Sequence, residues 1–271
     1  MDNKKRFDKI SSDIKSVKIQ GARNIAKAAF HAYSLIPEKN SIKKLLSLRP
    51  TEPMLEKVLS LVGKMSDKKI LEHFDFAQYQ INKNVLKLIK QNDKIFTHCH
   101  STNVVNALIF AKKSGTKFEI YNTETRPLFQ GRKTANALRK AGIKVTMFID
   151  SAAAIAIEKE NKRDKIFANK IFLGADALLT NGIINKIGSG LISELAYNHK
   201  IPVYIIADSW KFSKKKVPIE NRSLNEVWNN APKNVKIKNP AFEFVPEKYI
   251  SGIVTELGLM KYKEFVRKMK Y

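Results

Sequence analysis

The chain reads as an α/β protein: a helical N-terminal part, then a Rossmann-like, mostly parallel, doubly wound sheet. Residues 6 to about 91 carry apolar residues at helical spacing and offer no strand. From Asp93 the period changes, and short apolar runs rich in β-branched and aromatic residues alternate with helix-like segments. Gly115 and Gly142 stand where helix C-caps belong. The expected division is 1–91, helical, and 92–271, Rossmann-like, with an irregular excursion at 213–240.

In the first part, Ile10, Ile14, Val17 and Ile19 recur at roughly helical spacing, and after Gly21 a second helix puts Ile25, Ala28, Ala29 and Ala32 on one face. Pro37 ends it and Pro50 ends a short third helix. Thr51 is the expected N-cap of a fourth, with Pro53 in its first turn. Ile70, Phe74, Ile81, Val85 and Ile89 mark a long fifth helix. In the second part the expected strands are KIFTH, KFEIYNTE, IKVTMFID, KIFLGAD and IPVYIIAD. Helices are expected over TNVVNALIFAKKSG, QGRKTANALRKAG, SAAAIAIEKEN and SGLISELAYNHK, and the chain closes with a turn, a strand and a helix. Residues 213–240 are polar, with Lys214 to Lys216 in a row, and suit a dimer arm or a lid.

Composition narrows the class. With 271 residues, 44% of them hydrophobic, the chain can bury a core of its own. No run approaches the ~18 apolar residues of a membrane helix, and MDNKKRFDKI lacks the apolar core of a secretory signal. A cytoplasmic protein with no membrane partner is expected. A single cysteine excludes an internal disulfide and a cysteine-based zinc site. The formal charge of +25 attracts polyanions and phosphorylated ligands. Yet the lysines form no long block and no stacking platform of aromatics runs between them, which argues against nucleic acid as the partner.

Chemistry concentrates at three strand ends, where ligands of open α/β sheets sit. The first is THCHS, with Cys99 between His98 and His100. A lone cysteine there is either a small buried hydrophobe or, beside a cation or helix N-terminus, a usable base. If the strand continued through it, both imidazoles would point to the face opposite the thiol. The second is NTETRPLFQG, where Arg126 either holds a phosphate or pairs with Glu124 to brace the loop. The third is GADALLTNGIINKIGSG. Asp176 closes an apolar strand, where burial would raise its pKa and make it a general acid, or where it makes an Asx turn. Asn185 and Lys186 offer an amide and an ammonium, and Gly188 and Gly190 let backbone N–H groups approach an anion. Gly21, Arg49 and Lys211 are weaker candidates at helix and strand ends.

THCHS, TETRP–FQG, GAD–NG–NKIG and ADSWKF, in this order, resemble one family. It contains the regulatory subunits of eukaryotic translation initiation factor 2B, methylthioribose-1-phosphate isomerase and archaeal ribose-1,5-bisphosphate isomerase. The likeness is strongest over residues 93–212 and continues through KNPAFEFVP and IVTELG; IQGARNIAKAA and RPTEP carry it weakly before that. The isomerases resemble this chain in having cysteine at 99 and aspartate at 176, and HCHS is similar to the ribose-bisphosphate isomerase. The resemblance implies an aldose–ketose isomerase making ribulose-1,5-bisphosphate in archaeal AMP and nucleoside salvage. Cys99 would be the proton acceptor, as a thiolate, and Asp176 the donor. Implied substrate contacts are Gly21, Ala22, Arg49, Ser101, Thr102, Asn103, Asn185, Lys186 and Lys211, with Arg126 as a further phosphate contact. Gln20 and Arg23 flank Gly21-Ala22 where the isomerases show Arg-Gly-Ala and a small residue, so Arg23 is the candidate replacement for the missing arginine. The resemblance implies no metal and no cofactor, and a homo-oligomer, dimer or hexamer. The alternatives are a non-catalytic binding protein like the initiation-factor subunits, or a methylthioribose-1-phosphate isomerase.

Overall fold

A computed structural model describes residues 2–158 and 166–270. The first part is helical: α1 (Asn3–Lys15), α2 (Ala22–Leu35), α3 (Lys39–Leu48), α4 (Pro53–Leu61) and α5 (Asp67–Leu86). Helix α2 buries two faces, because its alanines let neighbours approach from both sides. Ile25, Ala29 and Ala32 pack with Phe7 and Ile14 of α1. Ala22, Ala26 and Phe30 pack with Met54 and Val58 of α4 and Phe74 of α5. Pro53 is the first residue of α4, so the N-cap is Glu52 rather than the expected Thr51, and no side chain caps the end. Helix α5 serves both parts. Ile70 and Phe74 belong to the helical core, and Ile81 and Val85 pack on the sheet with Ile95, Val104 and Leu108.

The alternating region supplies β1 (Asp93–Thr97), α6 (Thr102–Lys113), β2 (Phe118–Thr123), α7 (Gln130–Lys140), β3 (Lys144–Phe148), β4 (Lys170–Leu173), β5 (Ala177–Leu178), β6 (Gly182–Lys186), α8 (Ser189–Asn198), β7 (Val203–Ile206), β8 (Phe242–Pro246), β9 (Gly252–Thr255), β10 (Gly258–Met260) and α9 (Tyr262–Lys270). The main sheet has the order β10-β9-β7-β4-β1-β2-β3. Its pairings are parallel except β9 with β10. Strand β1 lies between β2 and β4, in register Ile95↔Ile120 and Phe96↔Ile171. The chain therefore leaves β1 toward one side of the sheet and later returns, through β4, on the other. The loops after these two strands diverge and open a crevice at the carboxyl edge, the usual ligand position in such sheets.

Two local expectations are corrected. The expected strands omit two within 174–190: β5 and β6 lie there and, with β8, form a second, antiparallel sheet. Asn181-Gly182 turns the β5–β6 hairpin, with the Leu179 N–H on the Gly182 carbonyl at 2.8 Å. Where a helix is expected at 151–161, Asp150–Ala156 forms a 3-10 helix, and 159–161 lie outside the described residues. Its start is pinned to the end of β2, because the Asp150 carboxylate accepts the backbone N–H of Thr125 at 2.8 Å and of Arg126 at 2.6 Å.

The helical part is latched to the carboxyl edge. His73 Nε2 on α5 lies 3.1 Å from Asp208 Oδ1 after β7, and the imidazole stacks on Trp210 at 3.5 Å. Among the described residues, no helix is long and apolar enough to cross a membrane.

Candidate active site

The crevice between the β1 and β4 loops is roofed by α2, by the turn before α4 and by the excursion. Cys99 and Asp176 both line it. Strand β1 ends at Thr97, and Cys99 takes a left-handed conformation, φ +66°. That conformation is uncommon for a residue with a Cβ and is held by neighbours on both sides. The Cys99 N–H donates to Thr125 Oγ1 at 3.0 Å, and the Cys99 carbonyl accepts from Thr134 Oγ1 at 2.8 Å. The flanking imidazoles are occupied elsewhere. His98 is buried between Thr123 Oγ1 and the Ile187 carbonyl, 2.8 Å from Nε2. His100 Nδ1 lies 2.9 Å from Thr134 Oγ1. Burial pushes both rings below the usual histidine value, His100 to about 4, so both are neutral near pH 7.

Close packing brings the second loop in. A Cβ on Gly174, at the end of β4, would lie 2.6 Å from Ser101 Cβ, so only glycine admits this approach to the start of α6. Ser101 itself caps α6 by accepting the Val104 N–H. Asp176 follows, and its N–H is fixed on the Ile184 carbonyl at 2.9 Å. Burial raises its carboxyl, against the opposing pull of Lys211, Arg49 and Lys186. Burial also pushes the Cys99 thiol up to about 12, outweighing the His100 N–H and the Lys186 ammonium. Cys99 thus rests as a thiol, where the resemblance implied a thiolate, and burial biases Asp176 toward its protonated form.

Lys211 donates to the Ala175 carbonyl at 2.6 Å, and Lys186 is buried at the end of β6. Asn185 donates to Ser189 Oγ at 2.8 Å, and Asn103 donates to Gln78 Oε1 at 3.0 Å. Gln20, Gly21, Ala22, Arg23, Ser101, Thr102 and Asn103 line the pocket too. Arg23 is in the wall but paired with Asp75 at 2.5 Å. Three expectations fail. Arg126 is exposed and outside the pocket, with its guanidinium over the Phe129 ring at 4.9 Å. Glu124 pairs with Arg132, not with Arg126. The Gly190 N–H at the start of α8 is already donated to Glu243 at 2.8 Å.

Sequence reasoning missed Lys133, Arg222, Glu226 and Glu52, all of which line the pocket. Glu52 is the most consequential. Arg49 Nη2 lies 3.4 Å from Glu52 Oε1 and 3.0 Å from Glu220 Oε2, which descends from the excursion. Burial first, then the Asp176 charge, push the Glu52 carboxyl up to about 8, while Arg49 and Lys211 pull it down. The Arg49/Glu52 spacing in RPTEP, three residues apart, was the available signal.

The initiation factor 2 subunit family model matches residues 11–262. The chain belongs to this family. Its relatives include a protein of Methanocaldococcus jannaschii named ribose 1,5-bisphosphate isomerase, 34% identical, with 91% of this chain and 89% of that one covered. Another, from Fervidobacterium nodosum, is named methylthioribose-1-phosphate isomerase and is 31% identical over 93% of this chain and 81% of its own. The solved structure of a Pyrococcus horikoshii translation initiation factor eIF-2B shares the fold, with TM-score 0.81 at 24% identity, covering 94% of this chain and 97% of that one.

Proposed function

We propose that this family member is an aldose–ketose isomerase of C1-phosphorylated pentoses, with ribose-1,5-bisphosphate as substrate and ribulose-1,5-bisphosphate as product. The observation that carries the reading is a raised carboxyl and the chain's one thiol lining the same cation-rich pocket. The names of its relatives point the same way.

A pentose phosphorylated at C1 cannot open as a free hemiacetal does. Asp176, held as the acid, protonates the ring oxygen as the C1–O bond breaks, and that oxygen becomes the C4 hydroxyl. Cys99, once ionised, takes the proton from C2, and its electron pair forms the C1=C2 double bond. The C2 hydroxyl then gives its proton back to Asp176 as the carbonyl forms at C2, and Cys99 returns a proton to C1. Asp176 ends as the acid it began as, and Cys99 as the thiolate that entered the step, its own proton having gone to solvent beforehand. Lys186, Lys211 and Arg49 hold the phosphates.

A second reading is favoured by the state of Arg49. Its guanidinium already faces two carboxylates, which suits a substrate with one phosphate, as in methylthioribose-1-phosphate. Turnover of the two sugars side by side tests the choice. The first reading expects kcat/KM to favour ribose-1,5-bisphosphate by at least about tenfold, a difference near 1.4 kcal/mol. A preference for methylthioribose-1-phosphate replaces it with the second, and no turnover of either removes the isomerase reading.

A further inference from the structure

The Arg49 end of the pocket is a built polar site with unused capacity. Arg49 and Glu52 have side chains 7% and 2% exposed. Arg49 Nε and Nη1 and Glu52 Oε2 have no hydrogen-bond partner in the protein, although all three are buried. Such atoms are costly to leave unpaired, so this geometry fits a polar group entering from the pocket. Nε–H and Nη1–H lie on different edges of the guanidinium, so each offers a single donor to an anion, while Nη2 between them faces Glu52 and Glu220. The Glu52 carboxyl matches a phosphate only if it carries a proton. The charged groups around Glu52 are Arg49 from the end of α3, Asp176 from the β4–β5 loop, Lys211 after β7 and Glu220 from the excursion. With Glu52 ionised, two carboxylates, Glu52 and Glu220, face the one Arg49 guanidinium, so a dianion added here meets uncompensated negative charge in a low-dielectric site.

We propose that Glu52 is a specificity-determining residue: as the acid, next to Arg49, it donates Oε2–H to a phosphate oxygen, and as the carboxylate it turns phosphate away. Phosphate binding at this end then brings one proton onto the Glu52 carboxyl whenever it starts ionised. The raised Glu52 pKa, about 8, places that switch just above neutrality. Below it a second phosphate is accepted, and above it the pocket prefers a pentose carrying phosphate at C1 alone. The inference rests on the pocket being a phosphosugar site but not on turnover, so the two can fail separately.

Inorganic phosphate is the probe, with its Kd measured by calorimetry at pH 7 and pH 9 on wild type and on Glu52→Gln, which keeps a donor and loses the charge. One pH unit above a pKa near 8, wild-type affinity falls about tenfold relative to the variant, whose Kd changes only as phosphate's own ionisation dictates. An equal pH dependence in the two proteins overturns the proposal, as does a wild type that binds no phosphate at pH 7. If Glu52→Gln melts far below wild type, the wild-type heat in two buffers of different ionisation enthalpy decides instead. Uptake approaching one proton per phosphate at pH 9 supports the role of Glu52, and no uptake overturns it. Loss of isomerase turnover with the phosphate result intact would remove the reaction and leave the site.

Discussion

The two walls of the pocket are built differently. The wall made by the β1 and β4 loops is set by backbone: a left-handed Cys99 tied through Thr125 and Thr134, and Gly174 pressed on Ser101. The opposite wall, from the turn before α4 and the excursion, is set by charge: Arg49 between Glu52 and Glu220, and Arg222 on Glu226 at 2.6 Å. Hydrogen bonds and close packing fix positions to fractions of an ångström and respond little to salt or pH. Ion pairs change with both. The first wall therefore suits the reacting groups, and the second suits recognition of charged ends of a ligand.

The largest expected effect sharpens the backbone wall. With Cys99 the one cysteine, alkylation of the whole protein reports it alone. A thiol pushed up to about 12 carries far less thiolate near pH 7.5 than a free one, so iodoacetamide should react on the order of a thousandfold more slowly than with free cysteine. The sign is fixed: the reactive form appears as pH rises, so the rate should climb through pH 10 without a plateau. A plateau near pH 8.5 would show an ordinary thiol. Next in size, Gly174→Ala forces a Cβ into Ser101 and should cost about 1–3 kcal/mol in denaturant unfolding, with kcat falling because the two loops are spread. Unchanged stability and kcat would show that this wall yields. His73→Ala removes the Asp208 contact and the Trp210 stack, and should cost about 1–2 kcal/mol while leaving the alkylation rate of Cys99 within twofold. The smallest effect belongs to Arg126→Ala, which should leave KM within about twofold, because the side chain lies outside the pocket. A larger rise would return Arg126 to the phosphate contacts.

Much of this was legible in the chain. Buried parallel strands read as continuous apolar runs, so β1, β2, β4 and β7 stood out, and with them the residues just past their ends. The β5–β6 hairpin did not, because β5 is two residues long and Asn185 and Lys186 break the apolar run of β6. Yet Asn181-Gly182 between apolar pairs carried the signal. Which cations face the pocket was only partly legible. Arg126 looked like a phosphate ligand by type and position, but Asp150 holds its backbone and Phe129 its guanidinium. Glu52 sits in an unremarkable Pro-Thr-Glu-Pro turn, and its part depends on Glu220, far along the chain, which no local pattern reveals.

The central claim is that the Cys99 sulfur and the Asp176 carboxyl work on one sugar. Turnover of ribose-1,5-bisphosphate at pH 8 by wild type, Cys99→Ser and Asp176→Asn tests it most directly, with melting curves to show that each is folded. The account predicts that either substitution lowers kcat by on the order of a hundredfold or more, with KM within about threefold. Wild-type turnover that survives both substitutions would contradict it.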